Sequence, residues 1–247
     1  MKTKLNIALL GYGRMGKEIE LIAALRNIGV TQKFDIDNPL SKSNRKLLDG
    51  VDVAIDFSSA DCISTNVEHV AAQKTNIVIG TTGWEKDRSK VEGIVRKSGI
   101  GMVSSANFSL GMNIFFRIAA VAAESFDEFN LYDAAISEIH HKRKKDSPSG
   151  TALALGKILL NGLRRKNKIV GDAVQGEIAP DALHISSMRV GEVAGIHSVL
   201  FDSEADSIEL IHTAKNRSGF ALGALLAAEW VKGKKGVFTM EDVMRKR

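Results

Sequence analysis

The sequence predicts an α/β fold in two parts, a doubly wound parallel sheet and a central α+β domain with a mixed sheet. Two observations carry this. Over residues 5–109 short apolar runs alternate with stretches of helical spacing, the pattern of strands joined by helical crossovers. After about residue 108 strand-like segments cluster instead, with a single clear helix among them. At 247 residues, with 44% hydrophobic and 26% charged side chains, the chain is long enough for two modest cores.

LNIALL (5–10) is a nearly continuous apolar run, as expected of a strand buried on both faces. GYGRMG (11–16) follows, then helical spacing in KEIELIAALRNI. TQKFDID (31–37) is a second strand candidate, ending in acid. VDVAIDFSS (51–59), NIVIGTTG (76–83) and IGMVSSANFS (100–109) read as apolar strands ending in small polar residues, with helices expected at 60–73 and 84–97. Next, LGMNIFFRIAAVAAES is a strongly apolar helix. LYDAAISEI, LHISSMRV, HSVLFDS and DSIELIHTA are strands, interrupted by a helix at 150–165. The C-terminal GFALGALLAAEWV is helical and apolar enough to pack back onto the first part. The expected domains are therefore 1–107 completed by 216–247, and 108–215.

Net charge is +5, and residues 142–145 alone supply four positive charges, so no general nucleic-acid or membrane coat is implied. The single cysteine, Cys62, excludes an internal disulfide and a cysteine-based zinc site, which fits a reducing compartment. The N-terminal apolar run of six residues is too short for a signal-peptide core, and no run approaches the ~18 apolar residues of a membrane span. A soluble, cytoplasmic protein is expected.

Gly11, Gly13 and Gly16 form G-x-G-x-x-G directly after a strand and at the start of a helix. In a dinucleotide site the first glycine makes the turn, the second admits the pyrophosphate, and the third lets helix pack on strand. Exposed N–H groups at the helix start then meet the phosphates, so Tyr12, Arg14 and Met15 belong to the same cradle. Asp35 lies near the ~20-residue offset expected of a ribose-binding acid, with Asp37 as a rival. These features make the first domain Rossmann-like and point to NADH or NADPH. An acid favours the cofactor without a 2′-phosphate, but Arg14 and nearby Lys33 leave the phosphorylated form open. Gly80, Thr81 and Thr82, and Ser105, Ala106, Asn107 and Phe108, follow strands at the carboxyl edge where open α/β sheets bind ligands. Singly each is an ordinary helix cap; as a set they line one edge.

The most chemically loaded stretch is HHKRKKDSPSGTA (140–152). A nucleic-acid patch would want aromatics and further basic residues beside it. A metal site is disfavoured because adjacent histidines on a strand point to opposite sides. A solvated charge run is the default until Lys145. Past it, Ser149 is an N-cap candidate, with Gly150 and Thr151 opening an apolar helix. Helix-start N–H groups, hydroxyls, histidines and lysines together make a pocket for an anion, a carboxylate above all.

EIHHKRKKDSPSGTA (138–152) resembles the signature of the dihydrodipicolinate reductase family. GYGRMG, VDVAIDFS, IGTTG, SANFSLGMN, MRVGEVAGIHSVLF and IELIHTAKNRSGFALGA fall in that family's order, so the resemblance spans essentially the whole chain. It implies a Rossmann-like domain completed by the C-terminal helix and a central domain that binds substrate and assembles a homotetramer. It implies hydride transfer from NADH or NADPH to a cyclic, unsaturated dicarboxylate, with no metal. By motif position His140 and Lys144 would be the acid/base pair, and His141, Ser149, Gly150 and Thr151 would hold the substrate carboxylates. Lys145, Ser147 and Ile196 depart from the family's commoner residues. The rival readings are an aspartate-type Rossmann dehydrogenase, which has no need of the long motif, and a nucleotide-sensing binding protein without turnover.

Overall fold

The computed structural model describes residues 5–171 and 174–245; residues 1–4, 172–173 and 246–247, which include both outer ends of the expected first domain, lie outside the described residues. In chain order the elements are β1 (Asn6–Leu10), α1 (Arg14–Leu25), β2 (Gly29–Phe34), β3 (Val53–Asp56), α2 (Ile63–Ala72), β4 (Asn76–Ile79), α3 (Arg88–Ser98) and β5 (Gly101–Ser104). Then come α4 (Leu110–Asp127), β6 (Asp133–His140), α5 (Gly150–Gly162), β7 (Lys168–Gly171), β8 (Ala182–Arg189), β9 (Ile196–Asp202) and β10 (Ser207–Thr213). The chain ends with α6 (Ser218–Val231), β11 (Gly236–Thr239) and α7 (Met240–Met244). Two compact units result, Met1–Leu110 with Arg217–Arg247, and Gly111–Asn216.

The first unit is a parallel sheet in the order β11-β5-β4-β3-β1-β2. Strands β3, β4 and β5 are buried along their whole length, which is why their sequences run apolar without alternation. On one face α1 and α6 bring Ile19, Ala23, Ala224, Leu225 and Ala228 against Leu9, Ile55 and Val78. On the other, α2 and α3 bring Val67, Val70, Val91 and Val95 against Leu10, Ala54, Ile77 and Met102. This is the Rossmann-like arrangement, with the C-terminal helix completing one layer. Helices expected from 60 and 84 begin later, at Ile63 and Arg88, because Ala60–Cys62 and Glu85–Asp87 form short 3₁₀ turns first. Strand β11 and helix α7 had no counterpart in the expected elements: β11 is four residues long, opens on glycine, and is recruited by parallel pairing with β5.

The second unit holds a mixed sheet in the order β10-β9-β6-β8-β7, with β6–β8 and β7–β8 parallel and the other pairs antiparallel. Helices α4 and α5 cover one face, packing Phe115, Ala119, Leu155 and Leu159 on Ile136, Ile185, Val199 and Phe201. On the opposite face Met188, Leu200 and Ile211 are exposed. Strand β6 alternates outward and inward residues, and its inward set is Ala134, Ile136, Glu138 and His140. An acid therefore stands where the period of the strand calls for a core residue.

Helix α6 approaches the end of β5 so closely that a Cβ on Gly223 would stand 1.7 Å from the Phe108 carbonyl oxygen. Gly223→Ala should therefore force helix and loop apart. Overpacking of this kind costs about 1–3 kcal/mol, read as a lower urea midpoint; an unchanged midpoint would show that the layer is not closed by this contact.

Candidate active site

Helix α1 starts one residue after Gly13, and no side chain caps it, so its first N–H groups are left for a ligand. Gly11 has φ +91°, and a Cβ there would meet the Phe57 carbonyl at 2.3 Å. Gly16 lies against the Gly11 carbonyl, 2.4 Å from where its Cβ would be. Gly13 is different: a Cβ on it would meet nothing within 4 Å and would project into open space. The first and third glycines serve packing and the second leaves a cradle, which is the division of labour a pyrophosphate needs. The residues present fit a dinucleotide.

Arg14 is exposed and Met15 half-buried in the first turn of α1, and Met15 packs against the core. Tyr12 donates its hydroxyl to Glu20 and lies beneath the Lys33 ammonium, 4.7 Å from its ring centre. Lys33 pairs with Glu20 at 2.6 Å, and these contacts lower the Glu20 carboxyl and raise the Lys33 ammonium. Asp35 is the first residue past β2, and its Oδ1 accepts the N–H groups of Asp37 and Asn38, both at 3.0 Å. Asp37 thus sits in a turn that Asp35 organises.

At the ends of β4 and β5 the expected residues divide. Thr81 turns inward, donating to Asp56 Oδ1 at 3.0 Å, and its carbonyl accepts from Trp84 Nε1 at 2.8 Å. Asp56 is fully buried. Burial pushes its carboxyl up against the hydrogen bonds from Ser58, Asn66 and Thr81. At Gly80 a Cβ would stand 2.2 Å from the Phe57 ring, so the turn packs directly on that ring. Thr82 is exposed. Ser105 donates to the Asn107 carbonyl at 2.9 Å and Ala106 is exposed. Phe108 turns its side chain into the core: it is 1% exposed and edge-on to Phe57.

In the second unit the register across the sheet assembles the chemistry. Glu138 on β6 pairs with His197 on β9, His197 with His212 on β10, and His140 on β6 with Arg189 on β8. Glu138 Oε1 accepts from Ser149 N at 2.9 Å and Arg189 Nη2 at 2.8 Å. Its Oε2 faces His140 Nδ1 at 3.2 Å and His197 Nε2 at 3.6 Å. Burial alone would push this carboxyl up, but His140, Ser149 and Arg189 outweigh it and hold Glu138 well below the usual carboxylate range. His197 is pushed down to about 4, first by burial and then by the neighbouring His140.

Ser149 caps α5, accepting Ala152 N at 3.1 Å. It is buried, and its hydroxyl also lies 3.4 Å from His197 Nε2, so it works as a cap more than as an open ligand group. Gly150 is exposed with open space beyond it, and Thr151 stands half-buried beside it. Lys144 pairs with Asp146 at 2.8 Å, and Asp146 Oδ2 also lies 3.4 Å from Gly150 N. Arg143 pairs with Glu192. His141 is half-buried. The strip is thus a turn in which Arg143 and Lys144 are partnered by acids, folded onto a helix start. Glu138, Arg189, His197 and Asp146 were not singled out from the sequence, although an acid on the inward face of β6 was a legible signal for the first.

One ligand atom each from Glu138, His140 and His197 lie within 4.8 Å of one another, close enough to hold a cation. Arg189 already supplies a cation to that carboxylate, which makes a second positive charge there costly.

Models of the dihydrodipicolinate reductase N-terminus and C-terminus match residues 5–108 and 111–244. A 4-hydroxy-tetrahydrodipicolinate reductase from Christiangramia forsetii is 42% identical over 241 residues, 97% of this chain and 98% of the relative. Another from Aquifex aeolicus is 36% identical, covering 94% and 95%. Among solved structures, dipicolinate-bound dihydrodipicolinate reductase from Paenisporosarcina sp. TG-14 superposes with a TM-score of 0.77 at 20% identity, over 96% of this chain and 98% of that one.

Two outcomes follow from this geometry. Gly13→Ala should keep the wild-type melting temperature yet weaken NADH binding roughly tenfold or more, about 1.4 kcal/mol, by fluorescence titration; unchanged binding would refute the cradle. Second, His197 binds its proton more weakly folded than in an unfolded chain, where histidine titrates near ~6.5. The unfolded state therefore takes up more protons between these values, and stability falls as pH drops from ~6.5 towards 4, by on the order of 3 kcal/mol. His197→Gln should flatten that part of the stability–pH curve, and an unaltered slope would contradict the assignment.

Proposed function

The chain belongs to the dihydrodipicolinate reductase family, and from that premise we propose which of its residues carry the reaction. It is an NAD(P)H-dependent oxidoreductase that reduces 4-hydroxy-tetrahydrodipicolinate to tetrahydrodipicolinate in lysine and diaminopimelate biosynthesis. Reduced nicotinamide, when bound, supplies the hydride. In our reading Gly11, Gly13 and Gly16 and the N-terminus of α1 hold the pyrophosphate, and Asp35 holds the ribose. Lys33, tied to Glu20, is withheld from a 2′-phosphate, which favours NADH over NADPH.

Reduction of a conjugated imine needs one proton for each hydride. We assign its delivery to His140 and Lys144, a role typically worth ~10²–10⁴ in rate. Gly150 and Thr151 at the start of α5, with His141, receive a substrate carboxylate; Ser149 keeps that helix start in place. The observation that carries this reading is that the turn after β6 brings a buried histidine, an ammonium and the uncrowded N-terminus of α5 to one end of the mixed sheet. An open sheet face bearing Met188, Leu200 and Ile211 supports a homotetramer built on this unit. The lone free cysteine, Cys62, accords with the cytoplasm, and no described helix is long and apolar enough to cross a membrane.

With substrate generated in situ, loss of reduced-nicotinamide absorbance should require that substrate, proceed with higher kcat/KM for NADH than NADPH, and fall ~10²–10⁴-fold in Lys144→Ala and His140→Ala. NADH binding should survive both changes. Turnover that persists in both variants would overturn the residue assignment, and binding without turnover in the wild type would favour a nucleotide sensor.

A further inference from the structure

Glu138 is 1% exposed and makes four contacts, each to a different element or turn around the site. Its Oε1 is satisfied by Ser149 N and Arg189 Nη2. Its Oε2 and His140 Nδ1 face each other at 3.2 Å, and neither has a hydrogen-bond partner elsewhere. Two buried polar atoms left unpaired cost more than a small turn of the imidazole that aligns Nδ1–H on Oε2. The partner of one ring nitrogen fixes which nitrogen carries the proton. With Nδ1 protonated against Glu138, Nε2 becomes the basic atom of His140. It lies against Gly195, where a Cβ would stand 3.0 Å from it and where φ is +155°.

We propose that Glu138 is the positioning residue of the reaction site, setting the tautomer of His140 with one oxygen and holding Arg189 and the Ser149 amide with the other. This rests on the assignment of the reaction to the second unit, and it adds a residue that touches no substrate. The same carboxylate couples three things. It orients the histidine, it seats the N-cap of α5 against the sheet, and it neutralises an arginine that also donates to the Asp146 carbonyl at 2.6 Å, in the turn that carries Lys144. His197, paired with Glu138 across the strands, bounds the ring of His140 edge-on at 5.1 Å between centroids.

Glutamine at this position keeps an oxygen for Ser149 and Arg189 but offers an amide N–H where Oε2 was, so it should reverse the tautomer. The first readout needs no variant: ¹⁵N spectra of the six histidines, with His140 assigned from His140→Gln, should show its proton on Nδ1 in the wild type. A neutral ring with its proton on Nε2 overturns the proposal. In Glu138→Gln the proton should move to Nε2, kcat should fall roughly 10²–10³-fold, and KM and NADH affinity should change no more than about threefold. In a His140→Ala background the same change should cost no more than about threefold. An equal loss in both backgrounds would make Glu138 merely structural and overturn the proposal. Should Glu138→Gln not fold, Glu138→Gln with Arg189→Met removes both charges, and the same tautomer reversal is expected in it; an unreversed ring overturns the proposal. Because the tautomer is read without turnover, an active His140→Ala would sink the assignment of the reaction to His140 separately.

Discussion

A carboxylate that carries its charge with almost no exposure needs partners, and around Glu138 the partners build the candidate site. Removing one side of a buried pair typically costs 3–5 kcal/mol, because the other charge is left alone in a poor solvent. That penalty ties together segments distant in sequence: the end of β6, the cap of α5, the end of β8 and the start of β9. The mixed sheet sets which residues face one another, and the carboxylate sets how tightly they are held. Lys144 and Asp146 sit in the turn between β6 and α5, so they inherit that geometry.

The first unit solves a different problem. An anion has to approach backbone N–H groups, so the loop before α1 needs room at one position and tight contact at two others. Gly11 and Gly16 are spent on packing against Phe57 and against each other, and Gly13 alone is left open. The GTTG turn is pinned from beneath by Asp56 and Trp84, which fixes an edge without filling it.

Local pattern made much of this legible. Strands with continuous apolar runs, β1 and β3 to β5, could be read within a few residues, because burial on both faces leaves a compositional mark. Glycine spacing and the N-cap at Ser149 were legible because each is a backbone requirement written in one residue. Strands β7 and β11 were not, since both are four-residue edge strands with half-exposed side chains whose pairing is decided by distant neighbours. The Glu138 cluster escaped for the same reason: it exists only when β6, β8 and β9 are in register. Phe108 shows a limit of local pattern: adjacency places it in the loop after β5, while the burial of its side chain in the core depends on distant contacts.

The central claim is that the second unit receives a cyclic dicarboxylate at the start of α5, beside His140. The most direct measurement is a titration of the ¹⁵N-labelled protein with dipicolinate, following backbone amides. The largest shifts should fall on Gly150, Thr151 and the turn from His141 to Asp146. Shifts confined to the glycine loop at residues 11–16, with the start of α5 silent, would contradict it.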